Sequence, residues 1–344
     1  MTPRAATALL LLVQIFLVAD ASLDNSTDAV GSLEDSADEY NRIDSDEDAA
    51  EPAPDDDEPR TPTEDPGTRH DDDDDVGERL LLTPLLEAGH LDEARQLSRV
   101  KGAPFPDHVE SYSGFFTVDP QFDSNLFFWF FPAEKNYEEA PVIVWLQGGP
   151  GQPSLIGIFM EIGPFSVAPD NVSLQDNPYS WHKNYSLLFI DNPVGTGFSY
   201  TNNQSGYATN QAEIADGLYT AVLQFFTLFP ELQENPLYVA GESYGGKHAI
   251  SLAHFIHNRN PSANITINLK GLFIVSGFFD PVSCLHYSEF LYQVGLLDFN
   301  EKKAVKIMEQ KGRELIRQGN YKQALHVSNS VHVQCNSINS PHVI

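Results

Sequence analysis

The stretch that most constrains this chain is Pro236 to His248, which reads PLYVAGESYGGKH. A short apolar run, Leu237 to Ala240, ends in Gly241-Glu242-Ser243-Tyr244-Gly245, and small residues then lead into a helix-compatible segment. The pattern predicts a strand, a sharp turn and a helix. Glycines on either side of such a turn let two backbones approach closely, and the serine between them is left strained with its Oγ exposed above the sheet. The same turn sets the Tyr244 amide at a helix N-terminus, where N–H groups and the helix dipole favour a developing negative charge. Ser243 is therefore a candidate nucleophile, and the Tyr244 N–H is half of a candidate oxyanion hole. Small-residue turns between strand and helix are common, so the motif alone leaves a purely structural role open.

A second segment, Val142 to Gly151 (VIVWLQGGPG), runs another buried-type strand into a glycine pair, as the second oxyanion donor of such a fold requires. Pro150 has no N–H, which points to Gly149 as the donor and leaves Gly148 free to contact other parts of a substrate.

With FFWFFPAE, FMEIGPFSV, LLFIDNPVGTGFSY and GFFDP, these two segments make six blocks in a fixed order between about Leu82 and Lys322. Together they resemble the serine carboxypeptidases, and within that family the vitellogenic-like branch. The resemblance implies an α/β hydrolase fold and release of C-terminal amino acids from peptides or proteins through an acyl-enzyme on Ser243, without cofactor or metal. Gln147, Gly148, Glu161 and Glu242 match the family's carboxylate-binding positions. In the family the two glutamic acids lie close and share a proton. Adjacent carboxyls cannot both ionise cheaply, so one stays neutral and can donate, which favours acidic medium such as a lysosomal or digestive compartment. Taken alone, Glu161 before Ile-Gly-Pro also fits a loop charge. Two departures stand out: Gln147 replaces the commoner Asn, as in the vitellogenic-like branch, and Gln152-Pro153 replaces the usual small residues, predicting an altered loop beside the oxyanion hole. By resemblance Asp191 to Tyr200 lines the cleft; a plain Gly- and Pro-rich structural loop is the alternative.

The chain divides into three parts. Residues 1–21 have a lone Arg4, an apolar run and an Ala-Asp-Ala site, the layout of a cleaved signal peptide and too short for a membrane anchor. Residues 22–79 hold 23 of the chain's 49 acidic residues against four arginines, so 19 of its 29 net negative charges lie there. Such a composition cannot bury enough apolar area to fold, and the segment is expected to be disordered. Its Asp71 to Asp75 run is a solvated charge block, with weak calcium binding or a propeptide spacer as alternatives. Residues 80–344 form the α/β hydrolase domain, whose part from Pro281 begins the family's cap insertion and ends in a diverged tail from Val327. Nothing in the composition of the folded part points to nucleic acid, and its oligomeric state stays open.

Within the domain, Thr83-Pro84 reads as an N-cap with proline at the first helical position. SYSGFFTVD and NLFFWFFPAE read as an antiparallel pair. From Pro141 onward, apolar strands without strict alternation are separated by helical stretches at 210–229 and 245–258, which predicts a parallel sheet covered on both faces. A serine nucleophile needs a base and an acid that orients it. In the family both come after the cap insertion, beyond Ile344 here, so no complete triad is expected and the chain resembles the N-terminal portion of an enzyme, with turnover expected of a longer product. His248, His254 and His257 read as helix residues leading away from Ser243, and Asp280 as a structural Asp-Pro. The final parallel strand is then expected to present an apolar edge.

Cys284 and Cys335 permit one disulfide. Sequons at Asn25, Asn171, Asn184, Asn203 and Asn264 agree with passage through the secretory route, as a secreted or lysosomal glycoprotein. Two other functions stay open: a non-catalytic secreted binding protein that retains the cleft, and an acyltransferase on the same scaffold.

Overall fold

A computed structural model describes residues 78–102, 105, 108–170 and 173–337, with side chains to residue 331. The expected signal peptide, the acidic segment up to Gly77, Asn25, Asn171 and the side chains of His332, Cys335 and His342 lie outside the described residues.

The core is a six-stranded sheet in the order β1-β2-β6-β3-β7-β8. Strands β1 (Tyr112–Asp119) and β2 (Ser124–Phe131) form the antiparallel pair, with Phe115 opposite Phe127 and Tyr112 opposite Phe130. The chain reverses through Asp123 at φ +49°. Strand β6 (Ser186–Ile190) is antiparallel to β2, whereas β3 (Val142–Leu146), β7 (Leu237–Glu242) and β8 (Leu269–Val275) run parallel to it in sequence across the sheet. Strands β4 (Phe165–Val167) and β5 (Leu174–Asp176) make a separate hairpin.

Every residue of β3 and β6 is buried, the consequence of cover on both faces. The two-residue period sorts their side chains. Val142, Val144, Leu146, Leu188 and Ile190 face one cluster with Phe128, Phe130 and the apolar sides of two helices, α3 (Gln211–Leu228) and α4 (Gly245–Arg259). Ile143, Trp145, Leu187 and Phe189 face the other, with Ile158, Ile162 and Phe165. Helix α3 starts on an Asn210 side chain that accepts the amides of Ala212 and Glu213, and it buries Ala215, Leu218, Val222, Phe225 and Phe226 at helical spacing.

Among the described residues two short helices precede the sheet, α1 (Thr83–Glu87) and α2 (Leu91–Ser98). Thr83 is not the N-cap that its sequence context suggests: Leu82 occupies that position. The Thr83 hydroxyl instead donates to Gln224 Oε1 at 2.5 Å and accepts the Thr117 amide at 2.7 Å. The Thr117 amide, like that of Phe115 two residues before it, points away from β2, and a tertiary donor takes the place of a local one.

After β8 the chain is helical: α5 (Pro281–Cys284), α6 (Ser288–Gln293), α7 (Phe299–Arg317) and α8 (Tyr321–Ser337). Asp298 and Glu301 form a reciprocal capping box on α7. Leu297, Val305 and Val331 make a small core among these helices. Strand β8 lies at the sheet edge, with Leu272, Phe273 and Val275 exposed. This is α/β hydrolase architecture, and Gln147, Asp191 and Ser243 all emerge at the C-terminal ends of its parallel strands. No helix of the described residues is long and apolar enough to cross a membrane.

Candidate active site

Between β7 and α4, Ser243 has φ +54°, a conformation that costs a non-glycine residue about 1–3 kcal/mol unless its surroundings impose it. Here they do. The Ser243 amide donates to Val275 O at 2.8 Å, and its carbonyl accepts from Phe278 N at 2.8 Å and Gly246 N at 3.1 Å. A Cβ on Gly241 would lie 2.2 Å from the Gly245 carbonyl oxygen, and one on Gly245 would lie 2.1 Å from Leu146 O. Both positions therefore demand glycine. Gly148 packs on the same turn, since a Cβ there would fall 2.8 Å from Ser243 Cβ. Among the described residues, Ser243 Oγ and the amides of Gly149 and Tyr244 have no hydrogen-bond partner.

Beside the turn, three of the residues singled out in the sequence come together. Trp145 Nε1 donates to Gln147 Oε1 at 2.7 Å, which turns the other end of that amide outward. Gln147 Nε2 then donates to Glu242 Oε2 at 3.0 Å and to Glu161 Oε1 at 3.4 Å. Glu161 Oε2 is buried without a partner. Burial, and then the neighbouring Glu242 carboxylate, push the Glu161 carboxyl up to about 8. At neutral pH it is a neutral acid with a proton to donate.

Asn177 and Ser154, which sequence reasoning passed over, hold this cradle together with Asp191. Asn177 Nδ2 donates to the Glu161 and Gly163 carbonyls at 3.1 and 2.9 Å, clamping the turn after a π-helical segment, Gly157–Glu161. Ser154 Oγ accepts the Gln147 amide at 3.2 Å and donates to Ile190 O at 2.6 Å, and its own amide donates to Asp191 Oδ1 at 2.8 Å. Asp191 Oδ2 accepts the Phe198 amide at 3.0 Å, so the carboxylate braces its own Gly- and Pro-rich loop. Burial pushes it up to about 6 against those amide donors. The sequence signal for Asn177 is its place in an Asn-Pro turn, which does not distinguish a clamp from a plain turn.

The histidines serve elsewhere. His248 is buried in α4 with Nδ1 3.2 Å from Gln211 Oε1, and burial, then Lys247, push it down to about 4. His254 meets Asn258, and His257 sits in the last turn of α4. His182 Nε2 is 2.9 Å from Glu134 Oε1 and its Nδ1 2.6 Å from Ser180 Oγ, just before β6 and so at the opposite strand ends from Ser243. Ser180 Oγ also reaches Ile162 O at 3.0 Å, so buried Ser180 and His182, with exposed Glu134, fasten the segment that carries Glu161. Burial lowers the His182 pKa. Asp280 caps α5, accepting the Val282 amide at 3.3 Å and the Ser283 hydroxyl. Among the described residues Cys284 has no disulfide partner, and its Sγ lies 3.7 Å from Gly277 O. Asn184, Asn203 and Asn264 are exposed, and Asn203 caps a short turn through Ser205 N.

The family model for serine carboxypeptidases matches residues 102–343, a range that includes the elbow and the cradle and continues past Lys322 through α8. The chain belongs to the serine carboxypeptidase family. It is 49% identical over 252 residues to a venom serine carboxypeptidase of Apis mellifera, covering 73% of this chain and 54% of that protein. Against a probable serine carboxypeptidase, CPVL, of Homo sapiens it is 48% identical over 255 residues, with 74% and 53% covered. A prohormone-processing carboxypeptidase of Saccharomyces cerevisiae superposes with TM-score 0.61 at 27% identity, over 70% of this chain and 58% of that one. The chain spans about half the length of the curated relatives it matches.

Proposed function

We propose that this serine carboxypeptidase chain binds the C-terminus of a peptide and presents its last peptide bond to Ser243. The observation that carries the proposal is Gln147 Nε2 bridging Glu161 and Glu242 immediately beside the strained serine. Gln147, Glu242, the Gly148 backbone and the protonated Glu161 would hold the free carboxylate, which needs a neutral acid because two ionised glutamates would repel it. The carbonyl carbon would then lie over Ser243 Oγ, and the partnerless amides of Gly149 and Tyr244 would take the developing oxyanion. Attack forms an acyl-enzyme and releases the C-terminal amino acid; water then frees the shortened peptide. The expected signal peptide and the exposed sequons at Asn184, Asn203 and Asn264 support action in the secretory route, outside the cell or in lysosomes.

The described residues bring no base to Ser243 Oγ. That observation favours a second reading, in which the chain binds C-termini through the cleft without turning them over, and turnover requires a histidine that these residues do not supply.

Two measurements separate the readings. A peptide ending in a free carboxylate should bind at pH 6 while its C-terminal amide does not, and binding should fade as pH rises through about 8, where Glu161 ionises. Equal binding of acid and amide would remove the carboxypeptidase cradle from both readings. Rapid labelling by a fluorophosphonate that Ser243→Ala abolishes would show an activated serine; a folded chain that binds the free acid but resists labelling would be the binding form.

A further inference from the structure

Several cations in this domain lie over aromatic rings, and three of them also meet a carboxylate. Arg95 is 4.7 Å from the Phe229 ring centre and 2.8 Å from Glu231; Arg259 is 5.1 Å from Tyr219 and 2.6 Å from Asp216; Lys302 is 4.3 Å from Tyr292 and 2.8 Å from Glu289. Arg79 over Tyr200 and Lys303 over Phe299 meet no carboxylate among the described residues but are exposed, whereas Lys247 is set deeper. Its Nζ lies 4.5 Å from the Tyr244 ring centre, 5.9 Å from that of Phe278 and 3.5 Å from the Tyr244 hydroxyl, and the residue is half-buried. Among the described residues no carboxylate comes within 4.0 Å of it. Both rings adjoin the turn that carries the serine: Tyr244 follows Ser243, and the Phe278 amide, from the segment after β8, donates to the Ser243 carbonyl. A partly desolvated ammonium with only π faces and one hydroxyl beside it keeps most of its charge available to a ligand.

The surroundings of Ser243 are thus divided. The Gln147–Glu161–Glu242 cradle includes the residue that precedes the serine, and Lys247 packs on the ring of the residue that follows it. A peptide whose terminal carboxylate occupies the cradle, with its last peptide carbonyl over Ser243, keeps its C-terminal residue on the first side and its penultimate residue on the second.

We propose that Lys247 is an anion subsite for the penultimate side chain of the peptide and selects aspartate or glutamate there. The proposal rests on the cradle holding the terminal carboxylate. Lysine suits the task, since a compact ammonium on a flexible stem can follow a carboxylate that approaches on side chains of different length.

The test uses the full chain at pH 6, where Glu161 is protonated and a peptide glutamate is ionised. Calorimetry would compare N-acetylated tripeptides with the same last residue and glutamate, glutamine or lysine at the penultimate position, each as free acid and as amide. Lys247→Met, Lys247→Glu and a control, Lys303→Met on the exposed side of α7, complete the set, with melting curves to show that each variant folds. The glutamate peptide should bind about fivefold tighter than the glutamine peptide, the range of a partly screened ion pair, and 0.5 M salt should reduce the difference. Lys247→Met should abolish that preference, Lys247→Glu should turn it toward the lysine peptide, and Lys303→Met should leave it intact. Free acids that bind well but without regard to the penultimate residue, or a preference that survives Lys247→Met, would overturn the subsite and leave the cradle standing. Failure to distinguish any free acid from its amide would overturn the cradle and the subsite together.

Discussion

Strands β3 and β8 are both apolar, both parallel to β7, and end on either side of the serine, yet they meet different fates. All five residues of β3 are buried between two neighbouring strands and two covering layers. Among the described residues strand β8 has β7 alone beside it, and Leu272, Phe273 and Val275 remain 42%, 44% and 40% exposed. Apolar composition states what a strand requires; neighbours decide whether the requirement is met. The difference reaches the site, because the Gln147 side of the cleft rests on the fully packed strand while the Ser243 amide is held by Val275 of the edge strand.

Large-to-small substitutions on the two sides should give the widest separation. Phe130 is fully buried against Tyr112, Phe225 and Phe229, so Phe130→Ala should cost about 3–5 kcal/mol in urea unfolding. Phe273→Ala on the edge strand should cost under about 1 kcal/mol, because much of its surface is wet in the folded state. Equal costs would mean that β8 is buried in solution and would break the comparison.

A methyl group at Gly245 should come next. Its Cβ meets backbone oxygen at 2.1 Å, so Gly245→Ala should cost about 1–3 kcal/mol or more and weaken peptide binding, since the turn must open. Gly271→Ala on β8, with Cβ 3.3 Å from the movable Tyr238 ring, should shift stability by less than about 1 kcal/mol. A tolerated Gly245→Ala would show that the elbow is looser than its contacts imply.

The cradle sharpens the comparison through pH. Glu161 binds its proton more tightly folded, about 8, than unfolded, near 4.5, so its contribution to stability is complete below about 4.5 and is lost as pH rises toward 8. Asp191, raised to about 6, acts in the same direction in the lower part of that window. His248 opposes them: lowered to about 4, it costs stability as pH falls from about 6.5. Melting temperatures should therefore decline between pH 6.5 and 8, and Glu161→Gln should flatten that decline. An unchanged slope would show that Glu161 is ionised in the folded protein.

The smallest effect should be on the edge itself. Phe273→Lys should leave the melting temperature within a few degrees while raising the concentration at which the chain self-associates in gel filtration, because a charge blunts an exposed strand edge. No change in association would mean that the edge is not sticky in this protein.

The elements whose backbone geometry is imposed locally were legible in the amino-acid order. Gly241, Gly245 and a serine between strand and helix leave few conformations to the turn, and the strand–helix alternation from Pro141 survives intact in the sheet. Gln147, Glu161 and Glu242 could be singled out by resemblance, but their contact could not be read from spacing. Only the pairing of β3 with β7 brings Gln147 and Glu242, 95 residues apart, to 3.0 Å. Thr83 shows the converse, a residue with a sound local role that a distant amide and Gln224 claimed instead. Trp145 orienting Gln147, Asn177 clamping Glu161 and Lys247 left without a carboxylate are likewise products of the folded arrangement. Local sterics act over a few residues and can be written into a short motif; hydrogen-bond partners and burial depend on which distant segments the core brings together, and that was decided by tertiary packing.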